Sequence, residues 1–237
     1  MNNYKFAFII CTNDELLLNE CVHYINNLHV PAGYDVELLT IPDAPCITSG
    51  YNEAMAATDA KYKIYMHQDV FILNKNFLQD ILSIFLEDSS IGMIGMVGYR
   101  SVSKDGIMWQ STDVRYRSLF FGSHYFEETR NTYHYSLQKD SYHYVALIDG
   151  LLMATSCDLP FDTQHLDGWD FYDAFQSMNY LLHGYHVVVP EQRFPWCIHD
   201  DNILLNLFHY NAYREKFVET YKEFLGKSYD QIIPSEL

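Results

Sequence analysis

From Phe6 to Ile10 the chain is apolar without interruption over the length of a strand, the pattern of a strand covered on both faces. It gives way to Cys11-Thr12-Asn13-Asp14-Glu15, where Thr12 and Glu15 stand at capping-box spacing and predict a helix start. Leu18, Cys21, Val22, Ile25 and Leu28 then fall on one helical stripe, which Pro31-Ala32-Gly33 ends. Val36 to Ile41 predicts a second strand. Together these form a β-α-β unit, which implies a parallel strand pair and a right-handed crossover.

The alternation continues. Ser49 opens a short helix over 50–58, Tyr62 to Met66 reads as a third strand ending at His67-Gln68-Asp69, and Val70 to Leu73 is a new apolar run. Asn76 to Glu87 predicts a helix with Leu78, Ile81, Leu82, Phe85 and Leu86 turned inward. Ile91 to Val97 predicts another strand, with glycines at 92, 95 and 98 that permit close packing. From Arg100 to Tyr144 the periodicity fails, and this aromatic-rich stretch reads as an irregular insertion of the kind that is usually functional or mobile.

Val145 to Ile148 resumes as a strand, followed by Asp149-Gly150 and the apolar Leu151 to Ala154. A helix over Asp170 to His183 and a strand over Tyr185 to Val189 come next. Trp196-Cys197-Ile198-His199-Asp200-Asp201 then leads to a terminal helix with Leu204, Leu207, Phe208 and Phe217 among its apolar positions. Strands alternating with helices predict an α/β fold with a mostly parallel sheet flanked by helices. With no repeat or Pro/Gly/Ser-rich linker, 1–237 is expected to form a single domain, with 100–144 as its insertion and 202–237 as a C-terminal helical tail.

Charge narrows the partners. The 31 acidic and 15 basic residues give a formal charge of −16, a surface that repels nucleic acid and anionic lipid. An anionic ligand such as a nucleotide diphosphate would need a cation to bridge it to carboxylates. The five cysteines show no CxxC spacing and read as reduced thiols. The start MNNYKFAFIICTNDE lacks the basic-then-apolar pattern of a signal peptide, and no stretch approaches the roughly 18 apolar residues of a membrane span, so a cytoplasmic protein is expected.

Open α/β sheets bind ligands at the carboxyl ends of their strands, which singles out Thr12-Asn13-Asp14, Pro42-Asp43, His67-Gln68-Asp69 and Asp149-Gly150. Asp14 could equally start a helix, Asp43 fill a turn and Asp149 shape a bend. Asp69 stands apart, because apolar runs on both sides would desolvate it, a cost relieved by pairing or by a bound cation. His199, with Asp200 and Asp201 beside it, is the second candidate metal contribution. Asp170 and Asp173, three residues apart, are expected on one face of a first helical turn. There they would either stabilise the helix dipole or supply a general base, its pKa raised by Trp169 and Phe171.

Taken together, four stretches are similar in order and spacing to bacterial glycosyltransferase-like proteins related to glycosyltransferase family 2. They are Phe8-Ile9-Ile10-Cys11-Thr12-Asn13, Gly50-Tyr51-Asn52-Glu53-Ala54-Met55, Tyr65-Met66-His67-Gln68-Asp69-Val70, and Asp167-Gly168-Trp169-Asp170 through Gly184-Tyr185. The segment Trp196 to Asp200 is similar to the C-terminal His segment of many enzymes of the GT-A fold. The resemblance implies a Rossmann-like GT-A domain and an inverting transfer of sugar from a nucleotide-sugar donor, a UDP-sugar first among them, to a saccharide or lipid-linked hydroxyl in surface-polysaccharide (capsule) synthesis.

It also implies roles. Asp69 corresponds to the last Asp of the DxD metal motif, holding Mn²⁺ or Mg²⁺, and His199 to an occasional further ligand. Thr12, Asn13, Asp43, Asn52, His67 and Asp149 border the donor, and Asp170, with Asp173 as its alternative, supplies the base. Apart from the resemblance, the flat faces of Trp109 and the aromatic insertion, and of Trp169, make them acceptor-binding candidates, with a self-packed loop or an oligomer contact as the alternative for the insertion. Two positions depart from the pattern: His67 stands where DxD has its first Asp, and Phe171 where an acidic pair has its second member. A metal-dependent hydrolase using His67, Asp69, His199 and Asp200, and a non-catalytic module of the same fold, remain as alternatives, and a homo-oligomer is left open.

Overall fold

A computed structural model describes residues 1–108, 142–192, 195–200 and 207–233. Of the residues singled out above, Trp109, Asp201, Leu204 and the rest of the aromatic insertion over 109–141 lie outside the described residues.

The central sheet has seven strands: β1 (Asn2–Thr12), β2 (Asp35–Pro42), β3 (Ala60–Met66), β5 (Ile91–Gly95), β7 (Tyr142–Tyr144), β9 (Leu152–Thr155) and β10 (His186–Pro190). Their spatial order is β2-β1-β3-β9-β5-β10-β7. Strand β1 pairs in parallel with both β2 and β3, and β10 in parallel with β5, while β9 runs antiparallel between β3 and β5 and β7 antiparallel on the edge beside β10. The sheet is therefore mostly parallel, as the alternation predicted.

Helices cover both faces. Phe6, Phe8 and Ile10 of β1 join one core with α1 (Glu15–Asn26) and α3 (Phe77–Glu87). Ile9 and Cys11 join the other with α2 (Ile47–Ala57), α4 (Tyr172–Leu182) and α5 (Leu207–Thr220). Burial on both faces explains why β1 is an unbroken apolar run rather than an alternating one.

Several elements differ from their expectation, each for a local reason. Strand β1 runs on to Thr12, still paired with Pro42, so α1 is capped by Asp14, whose Oδ1 accepts from Leu16 N at 2.9 Å and Leu17 N at 3.1 Å. Helix α2 begins at Ile47, two residues before Ser49, with Cys46 at the N-cap position. Leu86 lies beside the inward Phe85 but one residue further round α3, and is 66% exposed. Leu207 and Phe208 at the start of α5 are likewise exposed, while Phe217 is buried.

The segment read as a strand over Val145 to Ile148 contributes only β8 (Leu147–Ile148), paired with β6 (Gly98–Tyr99) outside the main sheet. The end of the expected insertion, Tyr142 to Tyr144, is strand β7. The direction of β9 matters most for function. Because it runs antiparallel to β3, with Leu152 opposite Met66, its entry turn Asp149-Gly150 comes to the same end of the sheet as the carboxyl ends of β1, β2 and β3.

Candidate active site

The site gathers around the turn that follows β3. His67-Gln68-Asp69 links β3 to β4 (Val70–Ile72), and β4 pairs antiparallel with β11 (Cys197–His199). That register sets His199 opposite Val70, and Asp200 N donates to the Asp69 carbonyl at 2.8 Å. Two short strands thus bring His199 to His67 across 132 positions of sequence, with Nδ1 of His67 3.3 Å from Nε2 of His199.

His67, Asp69 and His199 each offer one ligand atom, all within 4.8 Å of one another. Oδ1 of Asp69 lies 3.4 Å from His199 Nε2 and 3.9 Å from His67 Nδ1. It is buried and has no well-formed hydrogen bond among the described residues. Burial pushes the Asp69 carboxyl up, but the facing His199 and His67 rings outweigh it and hold the group below the usual carboxylate range. An ionised oxygen short of donors, with two imidazoles around it, is the donor set a divalent cation completes. The residues fit a metal.

Gln68, to which sequence reasoning gave no role, fastens the neighbouring loop. Its Oε1 accepts from Thr12 Oγ1 at 2.7 Å, Asn13 N at 3.0 Å and Asp14 N at 3.0 Å, and its Nε2 donates to Asn13 Oδ1 at 2.6 Å. Thr12 and Asn13 are thereby held against the His67-Gln68-Asp69 turn. Asp43, exposed at the end of β2, adopts φ 50°, and its N–H donates to the Thr12 carbonyl. This left-handed backbone is one that Asp tolerates better than most residues. Asn52 clamps the Phe161 main chain, donating to its carbonyl at 2.9 Å and accepting its N–H at 2.8 Å.

Asp170 and Asp173 do not share a helical face, because α4 starts only at Tyr172 and Phe171 before it is left-handed at φ 64°. That conformation is uncommon for a bulky side chain and persists only where packing imposes it. Here Phe171 is buried against Tyr210 and Phe217 of α5. The two carboxylates therefore lack the i, i+3 relation of a continuous helix.

Asp173 takes N–H bonds from Gly150 at 2.8 Å and Ala174 at 2.7 Å, and so ties the Asp149-Gly150 turn to α4. Burial, followed by the nearby Asp149 charge, raises its pKa. Asp170 is half-buried, and burial raises its carboxyl too, with His209 acting in the opposite sense. No hydrogen bond holds the Asp170 carboxylate among the described residues. Trp169 beside it is 52% exposed.

The raised pKa of Asp173 has a sign that can be checked. A carboxyl whose folded pKa exceeds its unfolded value near ~3.9 contributes most at low pH, and that contribution is lost as pH rises through the folded value. Relative to Asp173→Asn, the native protein is therefore expected to lose stability as pH increases above ~4. Urea unfolding of both proteins across that range measures it, and a pH-independent difference would contradict it.

Residues 7–221 match the model of the Glycosyltransferase like family. The chain belongs to that family. No curated protein matches it. Among solved structures it resembles a mannosyltransferase, PcManGT from Pyrobaculum calidifontis in complex with GDP-Man and Mn²⁺, at TM-score 0.56 and 12% identity over 96% of this chain and 66% of that one. It also resembles S. aureus TarS 1-349 in complex with UDP-GlcNAc, at TM-score 0.56 and 12% identity over 97% of this chain and 70% of that one. The chain thus spans about two thirds of the length of these structures, and the likeness establishes the α/β GT-A arrangement. No described helix is long and apolar enough to cross a membrane.

Proposed function

We propose that this protein transfers a sugar from a nucleoside-diphosphate sugar to a hydroxyl of a saccharide or lipid-linked acceptor, with inversion, in surface-polysaccharide synthesis on the cytoplasmic side. The observation that carries the reading is the His67, Asp69 and His199 cluster, with its buried Asp69 oxygen, at the carboxyl end of the parallel strands in a chain of this family. These three residues would hold a divalent cation, which supplies neutralisation of the charge that builds on the departing diphosphate. Two imidazoles favour Mn²⁺ over Mg²⁺, since Mg²⁺ prefers oxygen ligands. The PcManGT structure contains GDP-Man with Mn²⁺, and the TarS structure UDP-GlcNAc, so GDP- and UDP-sugars are the donor classes to test.

Asp170 is the base. Its carboxylate is not spent on main-chain amides, as that of Asp173 is, and its raised pKa suits uptake of the acceptor proton. Trp169 offers a flat face for the acceptor ring beside it. Thr12, Asn13 and Asp43 border the donor, and Asn52 and Asp149 shape that border through main-chain bonds.

The test needs no knowledge of the acceptor, because water can stand in for it. Each of a panel of UDP- and GDP-sugars is incubated with the protein and Mn²⁺, and release of nucleoside diphosphate is followed. Release from one donor that EDTA stops supports the proposal. Nucleotide binding without turnover of any donor, with or without candidate saccharides, would favour a non-catalytic module.

A further inference from the structure

A fourth residue meets the cluster of His67, Asp69 and His199 from outside. Tyr172 opens α4, and its Oη lies 2.5 Å from His67 Nε2 and 3.0 Å from the Gly150 carbonyl oxygen. A phenol has one proton to give and lone pairs to accept with. Given to the Gly150 oxygen, that proton satisfies a main-chain acceptor in a buried turn, and the phenol oxygen is left to accept from His67 Nε2–H. A neutral His67 with its proton on Nε2 has its lone pair on Nδ1, the atom that faces Asp69 and His199.

The opposite assignment is poorer. A Tyr172 proton directed at His67 would leave the Gly150 oxygen without it and put the imidazole proton on Nδ1, inside the cluster. The packing around Tyr172 is built for the contact. A Cβ on Gly150 would stand 2.2 Å from Tyr172 Oη, so only glycine admits the phenol at this depth. The ring also makes an edge contact with Tyr51.

We propose that Tyr172 is a positioning residue of the metal centre: its hydroxyl, anchored on Gly150, fixes His67 as the Nε2–H tautomer and so presents Nδ1 to the cation. The proposal rests on the metal site of the transferase reading. It accounts for how His67 can serve where a carboxylate is usual, since a carboxylate needs no tautomer set and an imidazole does. Outer partners of this kind are worth about 10–100-fold in metal affinity.

Two measurements test it, and neither uses sugar transfer. Long-range proton–nitrogen correlation spectra of ¹⁵N-histidine-labelled protein, with His67 assigned by its loss in His67→Gln, report the tautomer directly. The expected result is Nε2–H in the native protein and a mixture in Tyr172→Phe. Titration with MnCl₂ alone, followed by the paramagnetic resonance of free Mn²⁺, is expected to show at least ~10-fold weaker binding in Tyr172→Phe.

An Nδ1–H tautomer in the native protein, or unchanged Mn²⁺ affinity in a folded Tyr172→Phe, would overturn the proposal. If the variant does not fold, the native spectrum still decides. Absence of donor turnover would sink the transferase reading while leaving both of these readouts intact.

Discussion

Replacing Asp69 by Ala is expected to weaken Mn²⁺-dependent binding of a nucleoside diphosphate at least ~100-fold, about 2.8 kcal/mol at 1.4 kcal/mol per tenfold. Among the three clustered residues Asp69 alone carries a permanent negative charge, and its buried oxygen lacks a well-formed hydrogen bond among the described residues. A cation between two imidazoles and this carboxylate would lose its main electrostatic partner. The fold should survive, because the bond that joins the β3–β4 turn to β11 uses the Asp69 carbonyl and not its side chain. Calorimetry of nucleotide binding with Mn²⁺, paired with an unfolding curve, separates the two effects. Full-strength binding in folded Asp69→Ala would remove this cluster from the donor site.

The second large effect is expected at Asp170. Asp170→Asn should lower the turnover of donor by ~10²–10⁴-fold while leaving nucleotide affinity unchanged, the loss typical of a removed general base. Asp173 is the internal comparison. Its oxygens hold the main-chain amides of Gly150 and Ala174, so Asp173→Ala is expected to act first on stability, by about 1–3 kcal/mol for the partners left unsatisfied. Rates at saturating donor and urea midpoints, measured on both variants, distinguish the roles. If Asp170→Asn turns over normally and a folded Asp173→Asn does not, the assignment of the base is reversed.

Much of this architecture was legible in the chain because the physical signal is local. Phe6 to Ile10 announces a doubly buried strand, and the leucine and isoleucine stripe of 78–85 a helix with one inward face. What the pattern did not carry is direction and pairing. Nothing in Leu151 to Ala154 says that this strand runs against its neighbours, yet that direction carries Asp149-Gly150 to the site.

The meeting of His67, Asp69 and His199 was half legible. Asp69 stood out because a carboxylate between apolar runs needs a partner, while its meeting with His199 depends on the pairing of two three-residue strands. Asp170 and Asp173 looked like one helical face because spacing assumes a continuous helix, and the left-handed Phe171 breaks it. Gln68 and Tyr172 were invisible as positioning groups, since a glutamine beside a candidate ligand and a tyrosine at a helix start have ordinary uses everywhere.

The proposed transfer requires a metal-dependent nucleotide site. The most direct measurement is calorimetric titration of the native protein with UDP and with GDP, each in Mn²⁺ and again in EDTA. At least one nucleotide is expected to bind in Mn²⁺, and EDTA to weaken that binding ~100-fold or more, matching the loss in Asp69→Ala. Binding of neither nucleotide under either condition, or binding indifferent to EDTA, would contradict the proposed transfer.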